Sequence, residues 1–318
     1  MKLFVNTHGV AVTFRKYPGQ TDIETIVGLH DDGTPIENFA WKDVEYAADL
    51  ASKMQSCPVE CIDYGYLFYS FKSQVSYHHF MASTAPMVKD YVDRYPSYKL
   101  LVPEHYYNRL HRELFELFSI PEDKIVLLKD NHVYSVTNFA DRQWDDAALE
   151  LTPQRIETYR TIISSLGVSS SGSKTRRIYI QRDKIGNDAF NNSNTGRMRT
   201  IVNEDGLIAA LKEKGFDIVT LGNKTMREKK DVLDGAHTII TPLGANCLNL
   251  MFAAPEHVVF LSNMSCLGDV FYTRLLHTFT HCRVDVLKFN DIKDKCDPHN
   301  QWNSPFVVNL GDVLHALS

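Results

Sequence analysis

The sequence predicts an α/β protein made of two Rossmann-like domains. Its 318 residues are 44% hydrophobic and 23% charged, which are values of a globular protein. At ~100–200 residues per domain, this length corresponds to two domains. In both halves, short apolar strands alternate with segments of helical periodicity, a pattern typical of parallel sheets with helices on both faces.

The first half, residues 1–150, is expected to form the N-terminal domain. Its clearest signal is an aromatic run over residues 61–71 that predicts a strand, followed by helical spacing over 77–95. Further along we predict a strand at 99–102, a helix at 103–118 and a strand at 125–128. The signals before residue 57 are weaker: short strands at 4–5 and 10–14, and a helix at 45–55.

The second half, residues 151–318, alternates more regularly and is expected to form the C-terminal domain. Residues 139–152 lack strong periodicity and are interpreted as a connection between the domains, and Thr152 with Pro153 begins a helix. As an alternative, the last helix, at 313–317, could pack against the N-terminal domain. Strands are predicted at 177–181, 216–221, 238–241, 257–261 and 284–288, and helices at 153–166, 203–215, 225–235, 244–253, 268–280 and 313–317.

Composition argues against several functional classes. The net charge of −5 lacks the basic excess of a nucleic-acid-binding protein. The sequence contains no run of ~18 apolar residues, so no membrane span is predicted. Residues 1–8 become polar too early for a signal peptide. We therefore expect a cytoplasmic protein with reduced cysteines. The fingerprints GxGxxG and GxxxxGK[ST] are both missing from the sequence, which disfavours a dinucleotide dehydrogenase and a P-loop NTPase.

Candidate ligand-binding residues follow the predicted strands of the second half, because ligands bind at the carboxyl ends of parallel strands. Arg182, Arg197 and Arg199 follow the strand at 177–181. Guanidinium groups match phosphate oxygens, so these residues predict a pyrophosphate site. The alternative is a solvated polar loop without a ligand.

A second candidate loop follows the strand at 238–241. Small residues there permit close approach of a ligand, and a helix that begins at Gly244 directs N–H groups and its positive dipole end toward an anion. The alternative is a tight turn selected for packing alone. The loop's candidate donor-binding residues are Pro242, Leu243, Gly244, Ala245, Asn246 and Asn249.

Three further positions complete the predicted donor site. Gly222 follows the strand at 216–221. Asn203 and Glu204 open a predicted helix, where Glu204 could orient the arginines or a sugar hydroxyl. The alternative is that Asn203 caps this helix and Glu204 only favours its dipole.

A candidate catalytic base lies in the first half. His79 belongs to the segment Tyr77-His78-His79-Phe80 at the start of a predicted helix, and histidine can act as a general base near neutral pH. A structural role for these histidines is the alternative. No paired Asp-x-Asp carboxylates occur in a strand context, which disfavours a divalent-metal site. We expect no metal, and we also expect that no other cofactor is required.

Several ordered motifs together resemble glycosyltransferase family 61, which includes plant core xylosyltransferases and the O-GlcNAc transferases of secreted domains. The resemblance covers residues 75–318. The motifs are Tyr77-His-His-Phe80 with Pro86, Arg177-Ile-Tyr-Ile-Gln-Arg182, Arg199 to Asn203-Glu204, Lys214-Gly-Phe216, Ala236 to Phe252 including Gly244-Ala-Asn-Cys-Leu-Asn249, and Val307-Val-Asn-Leu310 with Val313-Leu314.

The resemblance implies a GT-B fold, in which two Rossmann-like domains face a cleft. It implies an inverting, metal-independent transfer from a nucleotide-sugar, a UDP-sugar, held by the C-terminal domain, to a hydroxyl of a glycan or glycoprotein. His79 would be the base, with Asp90 and Asp93 as alternatives. Xylosyl and N-acetylglucosaminyl transfer are the candidate reactions.

The sequence departs from the family pattern at three positions. Leu243 replaces a histidine, Asn246 replaces the second glycine, and Ser83 replaces an acidic residue. These changes leave open a catalytically inactive relative that binds a glycan or a nucleotide. An epimerase or phosphorylase of the same shape is a further alternative. Without the signal anchor common in the family, the chain is expected to be a cytosolic viral or bacterial member.

Overall fold

The structure is a computed structural model, and its chain divides into two compact units. It describes residues 2–6, 25–29, 56–68, 77–104, 107–129, 132–140, 150–167, 174–182, 200–222, 224–266, 268–292 and 304–317. The first unit comprises Met1–Phe71 and Thr84–Asp145, and the second comprises Lys72–Ser83 and Asp146–Ser318. The segment that contains His79 therefore belongs to the second unit, although it lies in the first half of the sequence.

The first unit contains a mixed six-stranded sheet. Its strands are β1 (Lys2–Asn6), β2 (Thr25–Leu29), β3 (Val59–Leu67), β4 (Lys99–Pro103), β5 (Ile125–Leu128) and β6 (His132–Ala140), in the order β2-β1-β6-β3-β4-β5. The four strands from β6 to β5 run parallel, whereas β1 is antiparallel to both its neighbours. The helices Ala85–Arg94 and Arg109–Leu117 connect the parallel strands.

Strand β6 was not predicted from the sequence. Its polar residues His132, Ser135, Thr137 and Asn138 obscure the apolar pattern of a strand, yet β6 pairs with both β1 and β3. Residues 139–140 of the expected connection belong to this strand, and the rest of that connection up to 149 lies outside the described residues, as do the predicted strand at 10–14 and helix at 45–55.

The second unit contains a fully parallel five-stranded sheet. Its strands are β7 (Arg176–Ile180), β8 (Phe216–Val219), β9 (Ala236–Pro242), β10 (His257–Asn263) and β11 (Arg283–Phe289), in the order β11-β10-β9-β7-β8. The strand order reverses between β7 and β9, which is where doubly wound sheets open a ligand crevice. The helices are Pro153–Leu166, Glu204–Glu213, Met226–Leu233, Leu250–Ala253, Asp269–Phe279 and Leu310–Ala316.

These two sheets confirm the prediction of a Rossmann-like α/β protein, while the GT-B arrangement stays a prediction. Some helices differ from their predicted form. The predicted helix at 77–95 consists of an α turn at Tyr77–His79, a π turn at Phe80–Thr84 and the helix Ala85–Arg94. The predicted helix at 103–118 begins only at Arg109, because Pro103 still belongs to β4 and Asn108 is the capping residue.

The hydrophobic core of the second unit gathers residues that are distant in sequence. Tyr179 and Ile240 from the sheet share this core with Phe306 and Val313. The rings of Phe289 and Phe306 are stacked, with their centroids 6.2 Å apart. The helix Leu310–Ala316 is thereby fixed to the second unit. Among the described residues, no helix combines the length and the apolar character needed to cross a membrane.

Buried His111 predicts a pH-dependent stability for the first unit. Burial lowers the pKa of His111 to about 3, and its Nδ1 accepts the N–H of Asn108 at 3.4 Å, as a neutral ring can. Because an unfolded histidine titrates near pH ~6.5, this contribution to stability is complete above that pH and is lost as the pH falls toward 3. Between pH 7 and pH 5 we expect a loss of about 2 kcal/mol.

Urea denaturation at the two pH values measures this loss. His111→Leu should remove it, whereas replacement of the exposed His277 by glutamine should leave the wild-type difference between the two pH values unchanged. An equal pH dependence in His111→Leu would contradict the assignment.

Candidate functional site

The candidate site lies at the carboxyl edge of the second sheet, where the strand order reverses. Arg182 follows β7, and its Nη2 donates to the carbonyl oxygen of Leu243, which follows β9, at 3.1 Å. The backbone N–H of Leu243 in turn donates to the carbonyl oxygen of Leu261 in β10 at 2.8 Å. These bonds bring the two predicted donor-binding loops together and fix the second of them to its neighbouring strand.

The turn after β9 is closed by a thiol. The N–H of Gly244 donates to Sγ of Cys247 at 3.4 Å, and this thiol donates to the carbonyl oxygen of Pro242 at 3.8 Å. The predicted helix at 244–253 begins here as the 3₁₀ helix Ala245–Asn249 and continues as Leu250–Ala253. Cys247 is buried within this turn, while Ala245 and Asn246 are half-buried.

Glu204 is held at the end of β7 by two side chains of that strand and its following loop. The phenol of Tyr179 donates to Oε1 at 2.7 Å, and Nε2 of Gln181 donates to Oε2 at 3.3 Å. Burial, followed by the charge of Glu204, raises the pKa of Tyr179 above its usual range. The phenol therefore stays protonated and fixes the carboxylate close to Arg182, whose charge partly opposes the shift.

Asn203 occupies the N-cap position of the helix Glu204–Glu213, but its side chain makes no capping hydrogen bond to the helix. Its Nδ2 donates to the carbonyl oxygen of Val308 at 2.8 Å, and its Oδ1 accepts the N–H of Val308 at 2.9 Å. Both groups of the carboxamide thus bind one backbone residue. Asn203 therefore connects the N-terminal end of this helix to the segment that contains Phe306, which lies in the core.

The helical turn Tyr77–His79 contacts the 3₁₀ helix Ala245–Asn249. The phenol of Tyr77 donates to Oδ1 of Asn249 at 2.7 Å, and Nζ of the buried Lys229 lies 3.6 Å from the centre of the Tyr77 ring. The neighbouring His78 is bonded through Nδ1 to the phenol of Tyr272 at 3.1 Å. The predicted base is therefore anchored beside the predicted donor loop.

His79 itself is half-buried, and its ring meets that of His78 edge-on, with the centroids 5.6 Å apart. The two alternative bases are carboxylates engaged in ion pairs within the first unit. Asp90 binds Arg94 at 3.2 Å, and Asp93 binds Lys89 at 2.6 Å. Asp90 is also buried, so it is poorly placed to receive a proton from a substrate.

The remaining predicted residues are distributed unevenly. Gly222 lies half-buried in the turn after β8, whereas Arg197 and Arg199 lie outside the described residues. Sequence reasoning missed Tyr77, Tyr179, Lys229 and Cys247. No pattern along β7 marks the phenol of Tyr179 as part of this site, since Ile178, Tyr179 and Ile180 are all buried, and no pattern in the helix Met226–Leu233 marks Lys229 as buried.

Comparison with known proteins identifies a family. The family model described as Glycosyltransferase 61 matches residues 76–260, which is more than half of the 318 residues. The match begins at the turn that contains His79 and extends into β10, so it includes the whole loop from Pro242 to Asn249. No curated protein matches the chain in sequence.

The paired bonds of Asn203 predict a structural penalty for its replacement. Asn203→Ala leaves the N–H and carbonyl of Val308 without these partners, and we expect the free energy of unfolding to fall by about 1–3 kcal/mol. Chemical denaturation measures the change. Asn290→Ala, at an exposed position, is the matched control and should have little effect. Equal stability of the two variants would contradict a stabilising role for the two hydrogen bonds between Asn203 and Val308.

Proposed function

We propose, since the chain belongs to glycosyltransferase family 61, that it is an inverting enzyme that transfers a sugar from a UDP-sugar to a hydroxyl of a glycan or glycoprotein. Family membership supports the glycosyltransferase activity itself. The observation that supports the proposed donor site is the bond from Arg182 to Leu243. It places a guanidinium on the loop to which the turn containing His79 is also bonded.

The donor diphosphate is proposed to lie at the carboxyl ends of β7 and β9. A guanidinium presents several N–H donors in a plane, and Arg182 is held there by a backbone carbonyl. Arg197 and Arg199 are proposed to add positive charge, so that the leaving diphosphate is stabilised without a metal ion. The carboxylate of Glu204, held by Tyr179, would accept a hydrogen bond from a hydroxyl of the nucleotide-sugar.

The proposed reaction is a single displacement. His79 takes the proton of the acceptor hydroxyl while the hydroxyl oxygen forms a bond to the anomeric carbon on the face opposite the diphosphate. The bond from the anomeric carbon to the phosphate oxygen breaks, and UDP leaves with that electron pair. The configuration at the anomeric carbon is inverted. In a GT-B arrangement, residues 151–318 would bind the donor and residues 1–150 the acceptor.

A second candidate function is nucleotide or glycan binding without catalysis. It is favoured by Leu243 and Ser83, which replace polar family residues and are both only 1% exposed. An apolar side chain at Leu243 provides no proton-transfer group beside the diphosphate. Purified protein incubated with UDP-sugars distinguishes the two functions, because only an enzyme releases UDP by transfer or hydrolysis.

Replacement of Arg182 tests the donor site. Arg182→Ala should weaken UDP binding by about 10- to 100-fold, because a charge-assisted bond to phosphate is lost, and Arg182→Lys should weaken it less, since an ammonium keeps the charge without the fork. Calorimetric titration with UDP measures both. Arg177→Ala is the control, because Arg177 is an exposed arginine of β7 that binds the carbonyl oxygen of Lys214. Unchanged affinity in Arg182→Ala would refute the donor assignment.

Replacement of His79 tests the base. His79→Ala should lower kcat by about 100-fold or more, because a positioned general base is removed, while the affinity for UDP stays close to that of the wild type. Turnover is measured as UDP release in the presence of acceptor. The exposed His277→Ala is the matched control and should keep wild-type turnover. If both histidine variants turn over equally, His79 is not the base.

A further inference from the structure

We propose that Tyr77 is a positioning residue that couples occupancy of the donor loop to the orientation of the turn containing His79. The inference rests on the proposed function, since it assigns a donor to the loop from Leu243 to Asn246. It adds a route by which bound donor aligns the base. The route consists of two hydrogen bonds and one cation–π contact in the interior of the second unit.

The two hydrogen bonds form a directional path. Nδ2 of Asn249 donates to the carbonyl oxygen of Asn246 at 3.1 Å, and Oδ1 of Asn249 accepts the phenol of Tyr77 at 2.7 Å. A backbone carbonyl can only accept, so the carboxamide must direct its NH₂ group toward Asn246 and its oxygen toward Tyr77. Because Asn249 is fully buried, turning this carboxamide around would leave buried polar groups mismatched.

The ring of Tyr77 has contacts of its own, in addition to the hydrogen bond of its hydroxyl. The ammonium of Lys229 lies 3.6 Å from the ring centre, and the Lys229 side chain is only 2% exposed. A desolvated cation is attracted strongly to the face of an aromatic ring. The Tyr77 ring is also stacked near that of Phe80, at 6.3 Å between centroids. Tyr77 therefore cannot rotate away from Asn249 without losing contacts on its ring as well.

A second anchor of the same turn lies on another element. His78 is bonded to Tyr272 of the helix Asp269–Phe279 at 3.1 Å and packs edge-on against Phe271. Tyr77 thus connects the turn to the donor loop, whereas His78 connects it to a neighbouring helix. The two tyrosine hydroxyls provide a matched pair for mutation, since each removal deletes one oxygen and one anchor.

Donor binding is expected to act through this path. A diphosphate held at the first residues of the loop restrains Asn246, and this restraint passes through Asn249 to Tyr77, two residues before His79. The base would be aligned for the acceptor only while the donor is present. Deprotonation of an acceptor hydroxyl without a donor would then be disfavoured.

The experiment follows the His79 ring by NMR in protein labelled with ¹³C-histidine, using UDP as the probe and His79→Gln to assign the signal. In the wild type, UDP should shift the Cε1–H signal of His79. In Tyr77→Phe, which keeps the ring over Lys229, UDP should bind within about threefold of the wild-type Kd, but the shift of His79 should fall to less than half. Tyr272→Phe should keep the shift.

Each outcome decides the question. A full His79 shift in Tyr77→Phe, or UDP binding to the wild type without any shift, overturns the coupling and leaves the donor site intact. Failure of UDP to bind the wild type overturns the donor site and the coupling together. If Tyr77→Phe does not fold, Asn249→Asp breaks the path at Asn246 while it keeps an oxygen for Tyr77. It should show the same loss of the His79 shift, and a full shift there overturns the coupling.

Discussion

Parallel pairing of β7 with β9 is the constraint on which the candidate site depends. Since both strands end at the same edge of the sheet, the chain segments that follow them must leave side by side. Arg182 and Leu243 are 61 positions apart in sequence, yet they share a hydrogen bond for this reason. The chain that connects β7 to β9 adds β8 at the outer edge, so this shared exit is not covered by another strand.

The polar groups at this edge are satisfied in pairs, and each pair joins separate parts of the chain. Tyr179 binds Glu204, Asn203 binds Val308, and Tyr77 binds Asn249. A buried polar group costs free energy unless it has a partner. These bonds therefore select one arrangement of the loops over others of similar apolar burial. Together with the bond from Arg182 to Leu243, these bonds keep a carboxylate, a guanidinium and an imidazole on neighbouring loops.

The sequence was sufficient to predict the strands of the second sheet, because continuous apolar runs such as 257–261 leave little choice of structure. It also placed Arg182 and the Pro242–Asn249 loop at the ends of the right strands. It could not assign residues 72–83 to the second unit, since that depends on contacts such as Tyr77 with Asn249, across 172 positions. The burial of Lys229 and the two hydrogen bonds from Asn203 to the backbone of Val308 likewise arise from tertiary packing, which no local pattern encodes.

The core of the second unit has a consequence for how the protein folds during synthesis. Tyr179, near the start of the sheet, shares this core with Phe306 and Val313, and Phe306 pairs with Ile201 through a bridge that spans 105 positions. A ribosome must therefore deliver more than a hundred residues after β7 before this core can be completed. Contacts of such long range slow folding and leave an open sheet exposed meanwhile. The core of the second unit should consequently reach its final packing only after Val313 has left the ribosome.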